Sequence, residues 1–233
     1  MTSTIAQHVP GVDQRTDEEV RVAVFRSFAA HGRAPSCAEL AQAADGSLAV
    51  AKISLHRLAA AHHLVLDECE HIVLAHPFAA VPLGFSVMGA KTLWWGGCAW
   101  DSFALPHLVP AEPEVLVATR CPGCAEPHAI VVNREAPPVG DQVAHFLVPV
   151  ERMWDNVVHT CANQRIFCGE GCVDAWLAAS GRDKGEVLDL ATLWNLASHW
   201  YDGRLDRGYH RRDPKTASAY FTGAGLTGPF WGS

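Results

Sequence analysis

The stretch "EVLVATRCPGCAEPHAIVVN", residues 114–133, decides the fold class. Two runs rich in β-branched residues, 114–120 and 128–133, flank a turn built on Pro122 and Gly123, which is the pattern of two strands joined by a tight connection. Cys121 and Cys124 stand in that turn. Downstream, "QVAHFLVPV" (142–150) reads as a third strand, and "TCANQRIF" (160–167) as a further extended piece. Apolar residues at helical spacing then predict helices in "EGCVDAWLAAS" (170–180) and "EVLDLATLWNLASHWYDG" (186–203). The last 25 or so residues have no clear period.

Upstream the pattern changes to helices. Thr16 and Glu19 form a potential capping box ahead of an apolar face carried by Val20, Val24, Phe25 and Phe28, and Gly32 ends that helix. A second box, Ser36 with Glu39, opens a short helix, and "SLAVAKISLHRLAAAHH" (47–63) supplies a third. Two β-rich runs around an acidic turn follow in "LVLDECEHIVLAHPF" (64–78). Three helices and a hairpin in this order predict a winged helix-turn-helix. The expected class is therefore α+β: a flexible tail over 1–15, a winged-helix-like unit over 16–80, and a mixed α/β domain over 81–233 with a small β-sheet. Residues 77–88, apolar with prolines and Gly84, read as a buried linker.

Of the 233 residues, 49% are hydrophobic and 18% charged, enough for a packed core. The formal net charge of −7 disfavours nucleic acid as a partner. Between Asp13 and Glu70 six basic residues face nine acidic ones, and the third helix offers only Lys52 and Arg57 for phosphates. A packing or lid role fits that unit better than DNA binding. No apolar run approaches membrane-spanning length, and the first 20 residues do not read as a signal peptide, so a cytoplasmic location is expected. Eight cysteines there point to metal ligands or reactive thiols rather than disulfides.

The cysteines sort by neighbourhood. Cys37 and Cys69 have no thiol nearby in sequence and read as packing residues. Cys121-x2-Cys124, in its hairpin turn, and Cys168-x3-Cys172, where a strand passes into a helix, are the two halves of a treble-clef-like zinc knuckle; four thiolates suit a tetrahedral ion and leave no open position for chemistry. Cys98 and Cys161 remain. Asp101 lies one helical turn from Cys98 in "LWWGGCAWDSFALP" (93–106), so both share a face near a helix N-terminus, where a thiol pKa falls. A thiol beside a carboxylate in apolar company can share one proton with it. Taken alone, each of the two also reads as ordinary packing or capping.

"WWGGCAWDSFALPHLV" (94–109) resembles the segment that carries the first catalytic cysteine and the aspartate in organomercurial lyases (alkylmercury lyases), and Cys161 in "HTCANQRIFCGEGCVDAWLA" falls where that family has its second. The likeness covers roughly residues 16–205. It departs at Ala162, where some members carry another cysteine, and in the zinc-type quartet, which is no part of the family's catalytic pattern. The resemblance implies carbon–mercury cleavage by protonolysis: Cys98 and Cys161 hold mercury, Asp101 donates the proton, and Trp94, Trp95 and Trp100 wall the pocket. It implies no organic cofactor, Hg(II) as the bound product, and small thiols or a mercuric reductase as acceptor. Three alternatives stay open: a related enzyme with another substrate, a metal-sensing winged-helix regulator, and a non-catalytic metal-binding protein. His107, His145 and His159 receive no role, and "GRLDRGYHRRD" (203–213) reads as a solvated basic surface.

Overall fold

A computed structural model of the chain describes residues 10–232, with side chains from Asp13. Three helices open it: α1 (Pro10–His31), α2 (Cys37–Ala43) and α3 (Leu48–Ala60). Five short strands follow, β1 (Val65–Leu66), β2 (Ile72–Ala75), β3 (Phe78–Ala79), β4 (Phe85–Met88) and β5 (Leu93–Gly96). Next come α4 (Ala99–Leu108), the hairpin β6 (Glu114–Arg120) and β7 (Pro127–Asn133), β8 (Val143–Phe146), α5 (Val157–Ala162) and β9 (Gln164–Phe167). The chain ends with α6 (Glu170–Ser180), β10 (Glu186–Asp189), α7 (Leu190–Ser198) and α8 (Pro214–Gly223).

The result is a mixed α+β protein whose strands all pair antiparallel. One sheet has seven strands in the order β1-β2-β3-β5-β4-β6-β7, and a second has three in the order β10-β8-β9. The sheet material is thus larger than the small sheet expected. In the β6–β7 hairpin every second residue faces the core: Val115, Val117 and Thr119 alternate with the buried His128, Ile130 and Val132. Helix α4 packs against α7 and the large sheet, and all its residues except His107 are buried. A helix apolar on every side is what a position between two layers demands.

Local chemistry explains where expectation and structure part. The first helix starts at Pro10, so Thr16 lies inside it and the capping box there does not form; Glu19 instead pairs with Arg207. Residues 10–15 of the expected tail are helical, and residues 1–9 lie outside the described residues. The second box does form, with Glu39 N–H on Ser36 Oγ at 3.3 Å and Ser36 N–H on Glu39 Oε2 at 2.6 Å. The expected linker over 77–88 contains strands β3 and β4, too short and too broken by prolines to show a period. Residues 157–162 form α5, although Val157, Val158 and Thr160 favour strands, because the Asn156 side chain caps His159 N–H at 3.0 Å. Conversely Glu186–Asp189, read as helix, pairs with β8, and Asp189 caps α7 through Thr192 N–H at 2.6 Å.

Candidate active site

The turn from β5 into α4 brings Cys98 and Asp101 together. Cys98 is the N-cap of α4, and its Sγ accepts the Asp101 N–H at 3.4 Å. Ser102 Oγ donates to the Cys98 carbonyl at 2.6 Å and so tightens the turn. Gly97 is required here: a Cβ at that position would overlap Asp101 Oδ2. Cys161 arrives from the last turn of α5, and both buried thiols line the same cavity. The three residues singled out in the sequence thus converge at the floor of a cavity of about 410 Å³, a size suited to a small molecule.

A buried carboxylate needs partners, and Asp101, 1% exposed, has two that sequence reasoning missed. His76 Nδ1 lies 2.9 Å from Asp101 Oδ2 and 4.0 Å from Cys161 Sγ. Tyr201, from the segment after α7, donates its hydroxyl to Asp101 Oδ1. Burial pushes the Asp101 carboxyl up, but the His76 charge and the hydrogen bonds from His76 and Tyr201 outweigh it and hold the group below its ordinary value. Burial alone would lower His76; the Asp101 and Cys161 charges raise it to about 10. At neutral pH the site therefore holds an aspartate–imidazolium pair. The signals for these two residues were a histidine inside the apolar run "IVLAHPF" and a tyrosine in "SHWYDG", neither specific in one sequence.

The two thiols differ, and in the opposite sense to expectation. Burial, the hydrogen bond with Cys161 and the Asp101 charge push Cys98 well above the ordinary thiol range, against one favourable backbone N–H. Cys161 falls to about 7: the hydrogen bond from Cys98 favours its thiolate, burial opposes, and the His76 cation favours it again. Cys161 is the ready thiolate, and Cys98 keeps its proton.

Of the three tryptophans expected in the wall, Trp100 lines the cavity and the other two do not. Trp94 points from β5 into the core and donates its indole N–H to the Phe28 carbonyl at 2.7 Å; Trp95, on the opposite face of that strand, is 37% exposed. Strand alternation sends neighbouring side chains to opposite faces, so neither reaches the cavity at the strand's end. Trp154, Trp200, Phe221 and Trp231 supply the apolar wall instead. Trp100 lies 4.9 Å from Trp200, centroid to centroid, and Phe221 lies 5.1 Å from Trp200.

The other four cysteines meet outside this cavity. The sulfurs of Cys121, Cys124, Cys168 and Cys172 all lie within 4.8 Å of one another, with Cys124 and Cys168 at 3.4 Å. Burial opposes ionisation of Cys121, but N–H donors of Cys168, Cys124 and Gly123 bring it to about 7. Cys37 and Cys69 are exposed, so they do not pack as expected.

Two sulfurs of unequal basicity and a carboxylate line one cavity with aromatic walls, a donor set of the kind that suits a soft electrophile. The sequence pattern of the alkylmercury lyase family matches residues 78–202, a span that carries Cys98, Asp101, Cys161, the knuckle cysteines and Tyr201. The chain belongs to the alkylmercury lyase family, a family of enzymes. Its fold is similar to that of the mercury-bound form of MerB2 in a crystal structure, with a TM-score of 0.60 at 16% identity over 84% of this chain and 98% of that one. No curated protein matches the chain. None of the described helices is long and apolar enough to cross a membrane.

Proposed function

We propose that the chain cleaves the carbon–mercury bond of organomercurials by protonolysis, with Cys161 and Cys98 as mercury ligands and Asp101 as proton donor. The observation that carries this reading is the convergence of both buried sulfurs and the buried carboxylate on one cavity. Mercury(II) is soft and favours thiolate ligands. The Cys161 thiolate takes R–Hg⁺ first and neutralises it. Asp101 then accepts the Cys98 proton, and the new thiolate closes on mercury. The carbon–mercury bond breaks with its electron pair on carbon, which takes the proton from Asp101. The products are R–H and Hg(II) on two sulfurs. One proton, originally on Cys98, ends on carbon, and His76 keeps its own throughout. Trp100 and the other rings hold the organic group and exclude water, which keeps that proton from exchanging.

A small thiol or a partner reductase is the acceptor that removes Hg(II) by thiol exchange, in a reducing cytoplasm that keeps eight free thiols reduced. The Cys121–Cys124–Cys168–Cys172 cluster fits a tetrahedral zinc: Zn–S bonds of about 2.3 Å need sulfurs roughly 3.8 Å apart, close to the spacing found. Such an ion staples the β6–β7 turn to the start of α6. We read α1 to α3 with the β1–β2 hairpin as a winged-helix unit (16–80) whose strands continue into the large sheet of the remainder (81–233) and whose His62 ring stacks on Trp154 in the cavity wall. Its role is to close the cavity rim.

The test is hydrocarbon release. Purified protein with phenylmercury and excess thiol is expected to yield benzene. Cys98→Ser and Cys161→Ser should each abolish it, while Asp101→Ala should keep mercury binding and lose benzene. Full activity in either serine variant would remove the basis of this reading.

A further inference from the structure

The cavity rim carries charge that protonolysis leaves unused. Arg204, Arg211 and Arg212 all line it, from the segment read as plain basic surface. Among the described residues no carboxylate lies within ion-pair distance of any of the three. Their donors go to neutral acceptors: Arg204 to the His76 carbonyl at 2.7 Å and Tyr209 Oη at 2.8 Å, Arg211 to the Ala61 carbonyl at 3.1 Å, Arg212 to the carbonyls of Trp200 and, at 2.7 Å, His199. Arg204, 5% exposed, leaves its Nε without a partner. The guanidiniums rest on rings instead, Arg211 at 4.8 Å from the Trp154 centroid and Arg212 at 5.2 Å from that of Trp200. The acids nearby are committed or apart: Asp101 to His76 and Tyr201, Asp202 to His199, Glu18 to Arg21, Asp213 to the α8 cap through Thr216, and Glu151 exposed on the lining turn.

Arg204 and Arg211 repel each other, and the three cations lining the cavity repel free R–Hg⁺ as well. Burial and the neighbouring Arg204 charge lower the Arg211 pKa, a sign of that strain. An anion among them would relieve it, and a guanidinium fork matches a carboxylate in two parallel hydrogen bonds.

We propose that the rim is a carboxylate subsite, in which Arg211 and Arg212 hold a carboxylate borne by the substrate while mercury reaches the two sulfurs. This rests on the protonolysis reading. The carboxylate has two possible sources: the organic group itself, or the thiol that carries the organomercurial. In the second case entry is an exchange: R–Hg–SR′ meets the Cys161 thiolate, the Hg–SR′ bond breaks as the new Hg–S bond forms, and R′S⁻ leaves as thiolate.

The experiment compares kcat/KM for phenylmercury supplied with mercaptoacetate, 2-mercaptoethanol or cysteamine, and for 4-mercuribenzoate with 2-mercaptoethanol. At low salt an anionic presentation should exceed the neutral one by about tenfold, with cysteamine slowest. Preference for mercaptoacetate assigns the carboxylate to the carrier; preference for mercuribenzoate assigns it to the organic group. In Arg211→Gln and Arg212→Gln the anionic-to-neutral ratio should fall toward one. Quenching of tryptophan fluorescence on mercury transfer reads the same ratios without bond cleavage. Transfer rates independent of carrier and substituent charge would overturn the subsite. Normal charge preference in transfer with no benzene from any presentation would overturn protonolysis alone.

Discussion

Replacing His76 with glutamine removes a cation that faces both the Cys161 sulfur and the Asp101 carboxylate. The sulfur lies 4.0 Å from Nδ1, and a pair of unit charges at that distance interacts by about 4 kcal/mol in partly shielded protein, equivalent to roughly three pKa units. The full amount is not expected, because the hydrogen bond from Cys98, the larger support of the thiolate, survives the substitution. A rise of about one to two units from about 7 is the expected outcome. The sign follows from charge: losing a cation disfavours the anion, so the thiolate appears at higher pH. At pH 7 the ionised fraction of Cys161 should drop from about half to roughly a tenth or less. The assay is iodoacetamide alkylation against pH, read on the Cys161 peptide by mass spectrometry so that exposed Cys37 and Cys69 do not contribute. The acid limb of hydrocarbon release should move in the same direction. An alkylation midpoint unmoved within about 0.3 units in a folded His76→Gln protein would refute the thiolate–imidazolium pair.

Gly97→Ala inserts a Cβ where Asp101 Oδ2 sits, so benzene release should fall by at least about a hundredfold while mercury still binds; unchanged turnover would mean that the carboxylate's position is unimportant. Trp94→Phe removes the indole bond to the Phe28 carbonyl and should cost about 1–3 kcal/mol in urea unfolding, whereas kcat/KM should stay put because Trp94 is outside the cavity. Metal analysis should give one zinc per chain, lost in Cys121→Ser together with a lower unfolding temperature; a stable, zinc-free wild-type protein would reject the knuckle. Burial holds His63, His107 and His145 near pH 4 in the folded chain, with neighbouring positive charges adding to it. Unfolded histidines bind protons near 6.5, so the unfolded state takes up more protons between those values. The contribution of these three is complete above about pH 6.5 and is lost as pH drops toward 4, a window in which His76, raised to about 10, stays protonated in both states and adds no slope; a flat urea midpoint from pH 7 to 5 would contradict it.

What the sequence made legible was what short-range pattern encodes. The β6–β7 hairpin and α6 were readable to within a residue because Pro-Gly turns, capping positions and alternation act locally. The pairing of β3 with β5, or of β10 with β8, was not, because strands of two to four residues carry too little pattern and are fixed by partners far along the chain. The same division runs through the site. Cys98 and Asp101 share one helical turn and could be singled out from it; Cys161 was singled out through a family likeness. His76 and Tyr201 come 25 residues before and 100 residues after Asp101, and only the folded chain joins them to it. Arg211 and Arg212 looked like solvated surface for the same reason: their carboxylate-free surroundings exist only in three dimensions.

His76 also changes the order of events that a buried aspartate suggests. An apolar pocket by itself would keep Asp101 protonated and ready to donate before any substrate arrived. With the imidazolium and the Tyr201 hydroxyl on its two oxygens, the resting group is a carboxylate, and a carboxylate has no proton to give. It must first receive one. His76 and Tyr201 keep theirs in the hydrogen bonds that hold the carboxylate. The proton comes from the Cys98 thiol, whose Sγ accepts the Asp101 backbone N–H, once mercury draws that sulfur into coordination. Cys98 gives that proton up when a soft cation on Cys161 makes the second thiolate worth forming, since coordination lowers a thiol's pKa by far more than burial raises it. On the protonolysis reading, the proton that cleaves the carbon–mercury bond is therefore created by mercury binding itself. An empty site, or one holding an apolar molecule without mercury, would have nothing on Asp101 to transfer.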